Sequence, residues 1–142
     1  MKILFIGPTA YKYHVLCLEQ EDFQVVSTNF HSEIIDALKN NKFDLIILEP
    51  LKVQQDPSNL VILDGEEELL CPGINILRQI KSAKLGADPQ TPVIILTNSA
   101  NEENNKIILG LGVLSIHDAL KTGPKEFVEI VKSFFASSQT TV

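Results

Sequence analysis

Asp64, Glu66, Glu67 and Glu68 form a dense acidic group in the sequence, and clustered carboxylates are the raw material of a hard-cation site. A calcium loop, however, spaces its ligands at alternate positions around a glycine turn, and these four do not follow that pattern. They read as a solvated acidic stretch and as candidate contacts for a protein partner, with no metal site implied. Gly7-Pro8-Thr9 joins an apolar run to a helical pattern, and such a turn can offer backbone N–H groups to an anion. Pro8 removes one donor, and neither GxGxxG nor GxxxxGK[ST] is present, so a nucleotide phosphate is not expected there. His14, His31 and His117 are scattered along the chain and read as ordinary surface or half-buried residues. Cys17 and Cys71 lie far apart without CxxC or Cys/His spacing, which suggests neither zinc nor a disulfide and suits a reducing cytoplasm. Cys17, beside Leu16 and Leu18, fits simple helix packing. Two further polar residues, Glu49 and Thr97, each end an apolar run, so their meaning depends on where those runs sit.

Short apolar, β-rich runs recur at Ile3–Ile6, Gln24–Ser27, Leu45–Leu48, Val93–Leu96 and Val113–Ile116. Continuous runs of this length suit parallel strands buried on both faces. Helical spacing lies between them. Tyr11, Val15 and Leu18 share one face; Ser32 can cap a helix carrying Glu33, Ile34, Ile35 and Leu38 and ending near Asn40-Asn41. Pro72-Gly73 precedes a third helix with Ile76, Leu77 and Ile80 inward and Arg78 and Lys81 outward. Ser99 and Glu102 match a capping box ahead of Ile107, Ile108 and Leu111, with Gly110 and Gly112 marking the end. Pro124 opens the last helix, in which Phe127, Ile130, Val131 and Phe134 form the apolar stripe.

This order predicts an α/β, flavodoxin-like (βα)5 fold: a doubly wound parallel sheet with strand order 2-1-3-4-5. Its binding crevice then lies at the carboxyl ends of strands one and three, at Gly7 to Ala10 and Glu49 to Leu51. About 23 residues, Pro50 to Pro72, separate strand three from helix three, against roughly 2–6 in an ordinary βα loop. They read as an insertion holding a hairpin, Leu60–Leu63 and Glu66–Leu70 about an Asp64-Gly65 turn. One domain is expected over 1–136, with a flexible tail over 137–142.

With 142 residues, 44% apolar content and a net charge of −6, the chain reads as a single globular domain. No apolar run approaches the roughly 18–20 residues of a membrane span, and the opening run, only four apolar residues long, is too short for a secretory segment. The negative balance disfavours a nucleic-acid partner, whose phosphates need clustered Lys and Arg.

The strand Phe43-Asp44-Leu45-Ile46-Ile47-Leu48, the helix opening Gly73-Ile74-Asn75-Ile76-Leu77-Arg78-Gln79-Ile80-Lys81 and Thr91-Pro92-Val93-Ile94-Ile95-Leu96-Thr97 together resemble the receiver domain of bacterial response regulators (CheY-like). Lys2 to Ile6 is similar to its first strand, so the resemblance runs nearly end to end. In active members an acidic pair after strand one holds Mg²⁺, an aspartate ends strand three as nucleophile, and a Ser/Thr and a lysine follow strands four and five. The cation offsets charge on the transferred phosphoryl group. Here the acidic pair aligns with Gly7 and Pro8, the nucleophile with Glu49, the lysine with Ala119 and the aromatic switch position with Ile116; Thr97 alone keeps its identity. The extra methylene of Glu49 displaces its carboxylate by roughly one C–C bond length, enough to spoil an in-line geometry.

The resemblance therefore implies a degenerate pseudo-receiver: no catalysis, no cofactor, no nucleic acid, no membrane, and signalling through protein contacts in a phosphorelay-type pathway, with homodimerisation through the helix 4–strand 5–helix 5 face. Glu49 has two readings at this point. It caps strand three facing water, or it stands in for a phosphorylated aspartate with Thr97 turned inward to bond it. Two other classes stay open. The first fifty residues resemble enzymes opening "MKILLIGP", and the same topology binds flavin mononucleotide in flavodoxins; a phosphoacceptor using Asp56 or Asp64 is the other.

Overall fold

Alternating strands and helices close into one layered α/β unit, and a computed structural model describes residues 1–50, 72–98 and 102–140 of it. The strands are β1 (Lys2–Ile6), β2 (Gln24–Thr28), β3 (Leu45–Leu48), β4 (Val93–Thr97) and β5 (Ser115–Asp118). The helices are α1 (Lys12–Gln20), preceded by a 3-10 turn at Thr9–Tyr11, α2 (His31–Asn40), α3 (Pro72–Lys81), α4 (Glu102–Gly110) and α5 (Pro124–Thr140). All the strand pairs are parallel, in the order β2-β1-β3-β4-β5, as the sequence predicts.

Side chains of a strand alternate between its faces, and that alternation divides the core in two. Leu4, Ile6, Ile46, Leu48, Val93 and Ile95 face α2, α3 and α4, where they meet Ile34, Leu38, Ile74, Leu77, Ile80 and Ile108. Ile3, Phe5, Leu45, Ile47, Ile94 and Leu96 face α1 and α5, packing on Leu18, Phe127, Val131 and Phe135. Both faces of β1, β3 and β4 are thus covered, which is why those runs are apolar without interruption.

Several boundaries differ from the sequence reading. The fifth strand is Ser115–Asp118, not 113–116, because Gly112 takes a left-handed turn (φ +87°) and the chain joins the sheet edge only three residues after it. As an edge strand it is only half-buried, so its polar–apolar alternation does not register as a continuous apolar run. Helix α2 starts at His31 with Phe30 as its capping residue, which places Ser32 inside the first turn instead of at the cap. Pro72 and Gly73 belong to α3 and do not merely precede it. Helix α5 continues to Thr140, so residues 137–140 of the expected tail are helical. The proposed hairpin, its acidic residues Asp64, Glu66, Glu67 and Glu68, Asp56, Cys71 and Ser99 lie outside the described residues. Among the described residues no helix is long and apolar enough to cross a membrane.

Candidate functional site

The parallel ladder brings four chain turns to one end of the sheet. The Glu49 N–H donates to the Ile6 carbonyl at 2.8 Å, the Gly7 N–H to Thr28 at 3.0 Å and the Ala119 N–H to Thr97 at 2.8 Å. These bonds extend the strand pairing one residue past its formal end. Gly7, Glu49, Thr97 and Ala119, distant in sequence, are therefore neighbours at the crevice, where strand order reverses between β1 and β3.

Glu49 is the centre of this group and is only 1% exposed, which overturns the water-facing reading. Burying a carboxylate costs several kcal/mol unless donors replace the lost water. Here they do. The Thr97 hydroxyl donates to Oε1 at 2.9 Å. The Tyr11 hydroxyl donates to Oε2 at 2.8 Å and the Asn98 backbone N–H reaches the same oxygen at 3.1 Å. An ionised carboxyl group is acceptor-only, so all three donations match that form.

Tyr11 is the functional residue that sequence reasoning missed, since its spacing with Val15 and Leu18 marks it as an apolar helix position. It sits instead in the 3-10 turn after β1, held by its N–H to the Pro8 carbonyl at 3.0 Å and by an edge contact with Phe5. A buried tyrosine needs a partner for its hydroxyl, and that requirement is the one sequence signal that could have exposed it. Burial first, then the Glu49 carboxyl group, pushes the phenol's ionisation far above its usual range. Tyr11 therefore remains a hydrogen-bond donor at every physiological pH.

Magnesium chemistry is not supported by these residues. Gly7 and Pro8 carry no carboxylate, and a Cβ added at Gly7 would lie 3.1 Å from Phe5 Cε1 and 3.3 Å from Tyr11 Cδ2. The space an acidic side chain would enter is taken by two rings. Both oxygens of Glu49 already face donors, and among the described residues no three His, Cys, Asp or Glu converge. Ala119 is partly buried on the α1/α5 side, and Ile116 packs on the opposite face among the α2–α4 core.

The hollows lie elsewhere. One of about 370 Å³ opens over the ends of β1 and β2, between Pro8, Thr28, Phe30 and Glu33, and Glu49 does not line it. Another, of about 340 Å³, lies at the amino ends of the strands by Leu38, Phe43 and Asp88. The first is lined by Gly7, Pro8 and Thr9, a turn in which Pro8 has no N–H to offer an anion.

The histidines correct a second expectation: His14 and His31 are buried, and only His117 is half-buried. His117 shares a 2.8 Å hydrogen bond with Ser115 Oγ and meets the Phe127 ring edge-on. Burial lowers its pKa below the ordinary 6.5. A lowered folded-state pKa means that the unfolded chain binds the proton more readily, so the contribution of His117 to stability is present above about pH 6.5 and is lost as pH falls. Urea titrations of the wild type and His117→Gln between pH 7.5 and 5 are expected to show the wild type losing stability more steeply below about pH 6.5. Parallel curves would refute the burial effect.

No family model and no curated protein matches the chain. Solved structures do. The chain is similar to a CheY-like response regulator receiver domain protein from Methanospirillum hungatei JF-1, at 22% identity and TM-score 0.72 over 99% of this chain and 98% of that one. The receiver domain of Francisella response regulator 1452 gives 18% identity and TM-score 0.70 over 96% and 98%. The phosphorylated cyanobacterial phytochrome response regulator RcpA gives 21% and 0.63 over 99% and 95%. The fold is that of CheY-like receiver domains.

Proposed function

We propose that this chain is a non-catalytic pseudo-receiver, a signalling module of a two-component or phosphorelay type that is held in one state by Glu49 and acts through protein contacts in the cytoplasm. The observation that carries the reading is the 2.9 Å bond from Thr97 to Glu49 Oε1. In an active receiver the phosphorylated aspartate draws that hydroxyl inward. Here a carboxyl group one methylene longer already occupies the bonding position, with Tyr11 and the Asn98 N–H donating to its other oxygen. The negative charge is built in, so neither a phosphoryl donor nor a cation is needed to set the state.

Partner contacts fall to exposed apolar residues on the α4–β5–α5 face. Leu109 on α4, Leu114 before β5 and Leu120 after it are all more than half exposed, Leu120 at 80%. Homodimerisation through this face follows the resemblance, and the acidic residues Asp64, Glu66, Glu67 and Glu68 are a second candidate contact.

Incubation with acetyl phosphate and Mg²⁺, followed by intact mass, tests the reading. The expected spectrum is unchanged, and Glu49→Asp, which restores the family's nucleophile without its acidic pair, stays unmodified too. A gain of one phosphoryl group on the wild type, at Asp56, Asp64 or elsewhere, would overturn it.

A further inference from the structure

We propose that the state of the Glu49 pocket is communicated to β5 along a chain of rings on the α1/α5 face, Tyr11, His14, Phe127 and His117, and not through residue 116 on the other face. This rests on the reading of Glu49 as the residue that fixes the state. Tyr11 joins the pocket directly through its 2.8 Å donation to Glu49 Oε2. From there the ring centroids follow at 5.6 Å to His14, 5.9 Å to Phe127 and 6.1 Å to His117, with interplanar angles of 59°, 69° and 74°. Each spacing lies within the range of attractive edge-to-face contact, roughly 4.5–7 Å.

Three of the four rings carry a polar group and the third, Phe127, does not. Phe127 is fully buried in the α1/α5 core, and a close-packed interior passes a displacement on instead of absorbing it. His14 donates from Nε2–H to the Thr122 carbonyl at 3.2 Å, which ties the chain to the segment linking β5 and α5. Its Nδ1 is buried without a hydrogen-bond partner, so on that side only ring packing positions the imidazole. His117 closes the series through Ser115 Oγ on the same face of the edge strand. Ile116 points to the opposite face, towards the α2–α4 core, and so stands apart from the ring series on the α1/α5 side.

Side-chain NMR on the full chain tests this. Tyr11→Phe keeps the first ring and removes only its bond to Glu49. The expected result is a displacement of the His117 Cε1–H signal by more than its line width while the Ile116 δ1 methyl stays within its own. In a His14→Gln background, which retains a donor for Thr122 but removes the ring, the same Tyr11→Phe change is expected to leave His117 unmoved; His14→Leu serves if the glutamine variant does not fold. A full-sized His117 displacement in either background, or a displacement of Ile116 in place of His117, would overturn the route. Glu49→Gln separates the two levels: movement at Ile116 alone rejects the route and retains the fixed pocket, whereas no movement at either residue rejects the pocket reading itself.

Discussion

Glu49→Ala is expected to lower the free energy of unfolding by about 3 kcal/mol, a fall in Tm of roughly 10 °C for a domain of this size. The loss arises less from the missing carboxyl group than from what it leaves behind. The Tyr11 hydroxyl, the Thr97 hydroxyl and the Asn98 N–H all point at Glu49, and each unsatisfied buried donor costs about 1–3 kcal/mol less whatever rearrangement recovers. Glu49→Gln separates charge from shape. Its amide oxygen can serve Tyr11 and Asn98, and its NH2 then faces a Thr97 hydroxyl that can rotate to accept. A smaller loss, about 1–2 kcal/mol, is therefore expected. Urea denaturation of the three proteins at pH 7 measures both. A Glu49→Ala loss under about 0.5 kcal/mol is the behaviour of a surface residue, and it would mean the donors find water or other partners without difficulty.

The fold was legible because its signal is redundant. Leu45–Leu48 and Val93–Leu96 are apolar throughout since each lies between two helical layers, and the strand order alone makes Glu49 and Thr97, which follow those runs, neighbours. The edge of the sheet was less legible. Ser115–Asp118 is half-exposed and alternates, so the more apolar Val113 and Leu114 drew the boundary two residues early. At the site, Gly7 and Pro8 announced the missing acidic pair, yet nothing in composition announced what fills the gap. Tyr11 reads as an apolar helix position, and its polar tip acts only because a 3-10 turn precedes α1. Periodicity records which face a residue takes and not where the far end of a long side chain arrives. The burial of Glu49 was open for the same reason: a lone acid after a strand points to water unless donors from other elements converge, and one of those donors was the unrecognised tyrosine.

Gly73→Ala is the second substitution with a large expected effect, and its cause is steric. Glu49 is followed by Pro50, whose carbonyl accepts the Gly73 N–H at 3.1 Å at the start of α3. This approach brings two backbones together with no side chain between them. A Cβ on residue 73 would lie 2.1 Å from the Pro50 oxygen and 2.4 Å from its Cα, far inside van der Waals contact, and the obstacle is main chain with no rotamer to yield. Helix α3 must therefore move away from Pro50, and α3 carries Ile74, Ile76, Leu77 and Ile80, all buried. Overpacking of this kind costs about 1–3 kcal/mol when side chains can adjust, and a clash with backbone belongs at or above the upper end. Gly110, at the end of α4, is the matched control, because a Cβ there meets nothing within 4 Å and alanine relieves the conformational entropy of glycine. Gly110→Ala is expected to gain about 0.5–1 kcal/mol. Opposite signs for the two glycines in urea titrations are the expected outcome; a Gly73→Ala protein as stable as the wild type would show that α3 does not rest on Pro50. The displacement also has a functional consequence, since Pro50 adjoins Glu49 and any retreat shifts the carboxyl group against Thr97. The Tyr11, Thr97 and Asn98 signals are thus expected to change in Gly73→Ala and to stay fixed in Gly110→Ala, a difference that bulk stability alone would not produce.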